Sequence, residues 1–320
     1  MLGTFRLVLA LLVALSHANV RIAGLNPGVM AVVCFYLISG YVMTGLLRGH
    51  YADLRRVPYF YLDRALRVFP QYLCIAGLTL AWFLATRHTT AFLRQMPAWS
   101  DLVANLSVVP LNYYMFNGSD RFTLVPPAWS LGAEIQFYLL MPFLLLWRLR
   151  GAALLLGLVV FGCAAWGILN TDAFGYRLLP GVLTFFMLGS LLYDARERCR
   201  KCALALAIGG PVLAAMAAWF LMRHGHLLLP YNPETLLGLA IGLPVLYWLG
   251  RLPQHPIDNR LGDLSYGVFL NHFLIQWSVI GEPVGMTKLG LYLTVSICLS
   301  ALTQYWIERP ALRLRRRMRD

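Results

Sequence analysis

Residues 5–19 read FRLVLALLVALSHAN, and how this run is read decides the fold. Arg6 and His17 enclose an otherwise apolar stretch, and eleven residues is close to a whole number of helical turns. Both side chains therefore fall on one face, about 16 Å apart along the axis. In lipid, a helix with Arg6 at one water interface would carry His17 to about half the depth of a hydrocarbon core roughly 30 Å thick. A titratable ring at that depth calls for an explanation. The same run also fits a cleaved signal peptide, with a basic start, a short apolar centre and Ser16-His17-Ala18 as a small-x-small cleavage site.

The rest of the chain separates these readings. Of 320 residues, 59% are hydrophobic and 13% charged, and the mean hydropathy is +0.64, far from the balance of a soluble domain. The composition predicts an all-α integral membrane protein. Apolar segments of spanning length fall near 5–20, 28–47, 71–87, 128–147, 151–169, 177–193, 203–222, 234–250, 263–281 and 288–307. About ten transmembrane helices follow, with both termini in the cytoplasm.

Charge tests the count. With the N-terminus inside, twenty of the 27 Lys and Arg residues fall in cytoplasmic loops or tails and seven outside, as the positive-inside rule requires. Removing residues 1–18 would strand the basic loop 48–70 on the wrong side, so the first segment is expected to be a retained helix. The net charge of +13 is explained by these loops, and nucleic acid is not an expected partner. The arginine-rich residues 311–320 read as a cytoplasmic tail drawn to anionic headgroups. Residues 88–127 form a long extracytoplasmic segment rich in aromatics and amides, suited either to interfacial packing or to lining a sugar site. Most of the six cysteines lie in apolar runs. Cys199 and Cys202 form one CxxC in a basic loop, a weak metal or redox signal without a second pair, and no metal site is expected.

Three groups carry candidate chemistry. Glu134, in WSLGAEIQFY at 129–138, is the acid set most clearly inside a spanning stretch, and the cost of burying it predicts a partner. His17 is the expected one: a carboxylate bonded to one imidazole nitrogen would make the other a better base. A structural ion pair between two helices is the alternative. In the loop RRVPYFYLDRALRVFP at 55–70, Arg64 and Arg67 would point the same way on a helix and could grip phosphates with forked donors. Their aromatic neighbours suit a nucleotide-bearing ligand. Tyr266, Phe269 and His272 share a helix face, a pattern that more often joins helices, and Ser39-Gly40 permits close approach.

These stretches together resemble the membrane acyltransferase-3 family of bacterial carbohydrate O-acyltransferases. The resemblance rests on Arg6 and His17, on FYLISG at 35–40, on Arg64 and Arg67 leading to Pro70, and on Trp129 to Glu134 with Phe137 and Tyr138. It continues with Ser265-Tyr266 running to His272 and with Ile307-Glu308-Arg309-Pro310. It implies a single polytopic domain over residues 1–310 in the bacterial inner membrane. That domain would pass an acyl group from cytoplasmic acyl-CoA, as co-substrate, to a hydroxyl of a surface polysaccharide or lipid-linked sugar. No tightly bound cofactor is implied. Arg64 and Arg67, with Arg6 on the donor side, would hold coenzyme A; His17, helped by Glu134, would be the acceptor base; Ser39, Tyr266 and His272 would line the pore. An acyl-histidine relay is the variant chemistry, and a glycan-assembly complex a candidate partner. Phe269 departs from the family, which often has tyrosine there, and the extracytoplasmic hydrolase-like domain of some members is expected to be absent. The rival reading is a transporter of an anionic solute with His17 and Glu134 as a proton relay.

Overall fold

A computed structural model describes residues 1–253 and 255–317, with side chains as far as Leu314. The described residues are helical, without strands beyond isolated bridges. In chain order the helices are α1 Leu2–His17, α2 Pro27–His50, α3 Val57–Thr86, α4 Trp99–Ser107, α5 Tyr114–Asn117, α6 Ala128–Leu146, α7 Arg150–Ala165, α8 Leu179–Arg198, α9 Arg200–Arg223, α10 Asn232–Leu249, α11 Pro256–Ile275, α12 Leu289–Thr303 and α13 Arg309–Arg317. Each of the ten apolar segments falls on one of these helices. Six stretches are long and apolar enough to cross a membrane: 27–50, 54–86, 128–146, 171–198, 200–223 and 286–314; α1 and α7 are shorter apolar helices. Wide π turns at Gln276–Ile280 and Gln304–Glu308 prolong α11 and α12. Of the basic tail, residues up to 317 are helical, and 318–320 lie outside the described residues.

Two boundaries differ from the sequence reading, each for a local reason. α3 starts at Val57, with Pro58 in its first turn and Pro70 inside it, so Arg64 and Arg67 lie on a helix and not in a loop. Proline is tolerated in the first turn because that N–H has no helical partner anyway. α1 ends at His17, which puts the histidine at the helix terminus where the chain turns toward α2. α2 then begins with Asn26 accepting from the Gly28 N–H at 3.0 Å, and with Pro27 in its first turn.

Close crossings set the central packing. Gly3 of α1 faces Gly262 of α11, and a Cβ on Gly3 would overlap the Asp258 carbonyl. Only a residue without a side chain lets these two backbones meet. Asp258 then accepts from the Gly3 N–H at 3.0 Å, the Thr4 N–H at 2.8 Å and the Thr4 hydroxyl at 2.7 Å, closing the first turn of α1 with a carboxylate from another helix. Gly40 and Gly189 bring α2 against α8 in the same way. α9 and α12 lie outside this centre. Their exposed Ile208, Leu213, Trp219, Leu291 and Leu302 form faces suited to lipid.

At one end of the bundle Asp194 of α8 accepts from Arg48 at 2.6 Å and Arg150 at 2.5 Å, tying α2, α7 and α8 together. Cys199 and Cys202, at the start of α9, are joined in a disulfide.

The segment 88–127 folds onto the bundle by its amides. Asn105 donates to the Asp101 and Phe122 carbonyls and accepts from the Leu124 N–H. Asn112 donates to the carbonyls of Trp129 and Arg177. These amides are buried structural ties, while Trp99 is exposed. From the segment only Phe92 and Pro127 reach the outer cavity described below, so packing, not sugar contact, accounts for most of its polar residues.

Candidate active site

Two cavities lie end to end in the centre of the bundle. The first, of about 540 Å³, is lined by His17, Arg21, Trp129, Tyr176, Arg177, Tyr231, Gln276 and Glu282, among others. The second, of about 370 Å³, is lined by Arg6, Ser39, Arg64, Arg67, Glu134, Tyr138, Asp263, Tyr266 and Leu312, among others. Val32, Ser130 and Phe269 line both, so these three form the wall between them. Phe269 is braced edge-on by Phe35 at a centroid distance of 6.1 Å. The His17 cavity is called outer and the arginine cavity inner, after the orientation expected from loop charge.

In the outer cavity His17 does not pair with Glu134. Its Nδ1 lies 2.9 Å from Nε2 of His272, and the rings are 7° from parallel with centroids 5.1 Å apart. At that nitrogen separation the rings lie edge to edge in one plane, joined by an N–H···N bond. The Nδ1 of His272 is 3.1 Å from the Val268 carbonyl, which can only accept, so this nitrogen carries the proton. Its Nε2 is then an acceptor, His17 must donate from Nδ1, and the His17 Nε2 keeps its lone pair. His17 is half-buried against the cavity, whereas His272 is fully enclosed. His272 is thus a buttress behind the site and not a pore-lining residue. Its depth on α11 follows from the glycine crossing, which no pattern within either helix announces.

Glu134 belongs to the inner cavity. Its Oε1 accepts from the Ser39 hydroxyl at 2.7 Å and the Tyr138 hydroxyl at 2.5 Å. Tyr138 lies one turn further along the same helix. Its ring carries the Arg64 guanidinium at 5.8 Å, and Arg64 is paired with the buried Asp63. Arg67 pairs with Glu308 and lies 5.7 Å from the centroid of the Tyr266 ring, while the Tyr266 hydroxyl donates to the Val68 carbonyl at 2.9 Å. The structure therefore brings Arg6, Ser39, Arg64, Arg67, Glu134 and Tyr266 to one cavity and leaves His17 in the next. Acidic partners hold Arg64 and Arg67 in place and offset part of the desolvation cost of burying them.

The arrangement has a cation-rich pocket, a narrow wall of two apolar side chains and a serine, and beyond it an imidazole with one lone pair free. This suits transfer of a group between partners arriving from opposite ends. A profile described as an acyltransferase domain, that of the acyltransferase-3 family, matches residues 2–303. The chain belongs to that family. Its relatives include an uncharacterised Aquifex aeolicus protein, 37% identical over 57% of this chain and 84% of its own length. Rhizobium leguminosarum nodulation protein 10 is 28% identical over 90% of this chain and 83% of its own length. A Bacillus subtilis protein provisionally named a peptidoglycan O-acetyltransferase is 26% identical over 92% of this chain and 52% of its own length. The chain spans about half the length of that relative. No solved structure matches. In this acyltransferase the site and packing residues to which sequence reasoning gave no role are Tyr138, quoted there only as part of a motif, Asp258 and Arg177. Tyr138 lay in view at helical spacing from Glu134; the other two carry no local signal.

Proposed function

We propose that the chain is an O-acyltransferase of the bacterial inner membrane, with ten spans and both termini cytoplasmic. It takes an acyl group, most simply acetyl, from cytoplasmic acyl-CoA as co-substrate, with no resident cofactor. The acceptor is a hydroxyl of a surface polysaccharide or lipid-linked sugar, delivered directly or by a glycan-assembly complex. The observation that carries this reading is the pair of cavities sharing Val32, Ser130 and Phe269, with arginines at one end and His17 at the other. The donor's phosphates sit by Arg6, Arg64 and Arg67, its pantetheine arm runs past Ser39 and Glu134, and its thioester reaches the wall. The acceptor enters the outer cavity.

His17 Nε2 takes the proton of the acceptor hydroxyl as its oxygen attacks the thioester carbonyl. The C–O bond forms, the C–S bond breaks as the tetrahedral intermediate collapses, and the departing thiolate receives the proton. His272 accepts from His17 Nδ1 throughout and steadies the imidazolium, an orienting role like that of the third member of a catalytic triad but without its charge. Glu134 acts on the donor side, holding Ser39 and Tyr138.

The proton-relay transporter requires His17 and Glu134 to exchange a proton. They line different cavities and are bonded to other residues, which takes away the feature that supported that reading. The test of the proposal is acetyl transfer in membranes at matched protein level. His17→Ala is expected to abolish it, and wild-type activity in that variant would refute the assignment.

A further inference from the structure

Arg177, at the end of the π-helical stretch Thr171–Arg177 that precedes α8, is held unusually firmly for an arginine in an open cavity. Its Nε–H donates to Asp172 at 2.6 Å. Its guanidinium carbon lies 4.5 Å from the Trp129 ring centroid, 5.2 Å from Tyr176, 5.4 Å from Tyr114 and 5.9 Å from Tyr231. Only 14% of the side chain is exposed, and it lines the outer cavity with His17. Neither Nη group makes a hydrogen bond among the described residues. Both Nη groups stay open to the cavity, and the surrounding rings fix the fork without supplying it an acceptor.

The geometry points to Arg177 as the reader of an anionic group, carboxylate or phosphate, on the acceptor molecule. The planar fork of a guanidinium matches the paired oxygens of those groups. Arg21 lines the same cavity and has no ion pair among the described residues. The carboxylate in the cavity wall, Glu282, accepts at Oε1 from Gln276 at 3.1 Å and Trp277 at 2.8 Å and forms no ion pair with Arg177 or Arg21. Of the rings around Arg177, Trp129, Tyr176 and Tyr231 also line the cavity, and aromatic surface of this kind suits a sugar ring. The acceptor class is therefore an acidic sugar or a phosphate-linked one. This inference rests on the outer cavity being the acceptor site.

The test uses the full chain in proteoliposomes with acetyl-CoA, and three probes compete as acceptors or inhibitors: maltotetraose, tetragalacturonate and a maltotetraosyl phosphate. The wild type is expected to favour one charged probe over maltotetraose by about tenfold or more, the size usual for charge-assisted bonds. Whichever charged probe wins identifies carboxylate or phosphate as the source. Arg177→Gln should erase the preference and Arg177→Lys retain part of it, with acetyl-CoA binding at the inner cavity reporting that both variants are folded. Equal affinity for charged and neutral probes in the wild type, or an undiminished preference in Arg177→Gln, overturns the inference. So does a fall in kcat with every acceptor and an unaltered preference, which would make Arg177 a stabiliser of the reacting oxygen instead. Loss of all His17-dependent acetyl transfer in the wild-type assay would strike the proposed function itself and is read separately.

Discussion

Nδ1 of His17 lies 2.9 Å from Nε2 of His272, and the carbonyl behind His272 makes this contact directional. One backbone oxygen, that of Val268, assigns the protons on both rings. The base reading of His17 therefore depends on a residue 255 positions away in sequence.

His272→Ala removes the acceptor of the His17 Nδ1–H and frees the ring to adopt the other tautomer. We expect kcat for acetyl transfer to fall about 100-fold or more, within the range that general-base catalysis supplies. In His272→Gln the amide oxygen can still accept, so that variant should recover part of the rate. Matched rates for His272→Ala and wild type, at equal membrane protein level, would remove His272 from the mechanism.

Arg67 and Glu308 are paired, with 14% and 1% of their side chains exposed. Arg67→Ala leaves the Glu308 carboxylate buried and uncompensated, and should cost about 3–5 kcal/mol of stability. Thermal unfolding in detergent would show it. Arg67→Lys keeps the charge and loses the fork; it should retain most of the stability while weakening acetyl-CoA binding. Unchanged affinity in Arg67→Lys would return the residue to a structural role.

Asp258, between α11 and the first turn of α1, supplies a pH dependence. Burial pushes its carboxyl up, but the bonds from Thr4, Gly3 and the terminal ammonium outweigh this and hold it at about 2, against an ordinary 3.8. A depressed carboxyl stabilises the fold fully above its unfolded value, and that stabilisation is lost as pH falls through the folded one. Stability should therefore decline between about pH 4 and pH 2 as α1 loosens from α11. Asp258→Ala should lower the unfolding midpoint at neutral pH and flatten that acid decline. An identical acid profile in the variant would contradict the assignment.

Phe269 stands in the wall between the cavities, and in the proposed reaction the acyl end of the donor must lead through that wall. Phe269→Ala should raise the rate with octanoyl-CoA relative to acetyl-CoA by about tenfold or more, given the worth of a few methylenes in an apolar pocket. A competition assay with both thioesters reads the ratio. No change in it would place chain-length selection elsewhere.

Much of the molecule was legible in one dimension because lipid imposes one-dimensional rules. Apolar length, arginine asymmetry and scarce intramembrane acids lie along the chain; they placed the helices and singled out Arg6, Arg64, Arg67, His17 and Glu134 as candidates, all of which line the two cavities. Which of those residues meet was decided by tertiary structure. Glu134 and His17, read as a pair, were assigned to separate cavities by the way α1, α2, α6 and α11 cross. The partner of His17 came from the close approach of Gly3 to Gly262, and the Arg177 fork from four rings on four segments, Tyr114, Trp129, Tyr176 and Tyr231. A sequence states how costly a buried charge or imidazole is, because that cost belongs to the residue and its depth. It does not state which residue offsets the cost, because that depends on where backbones can touch.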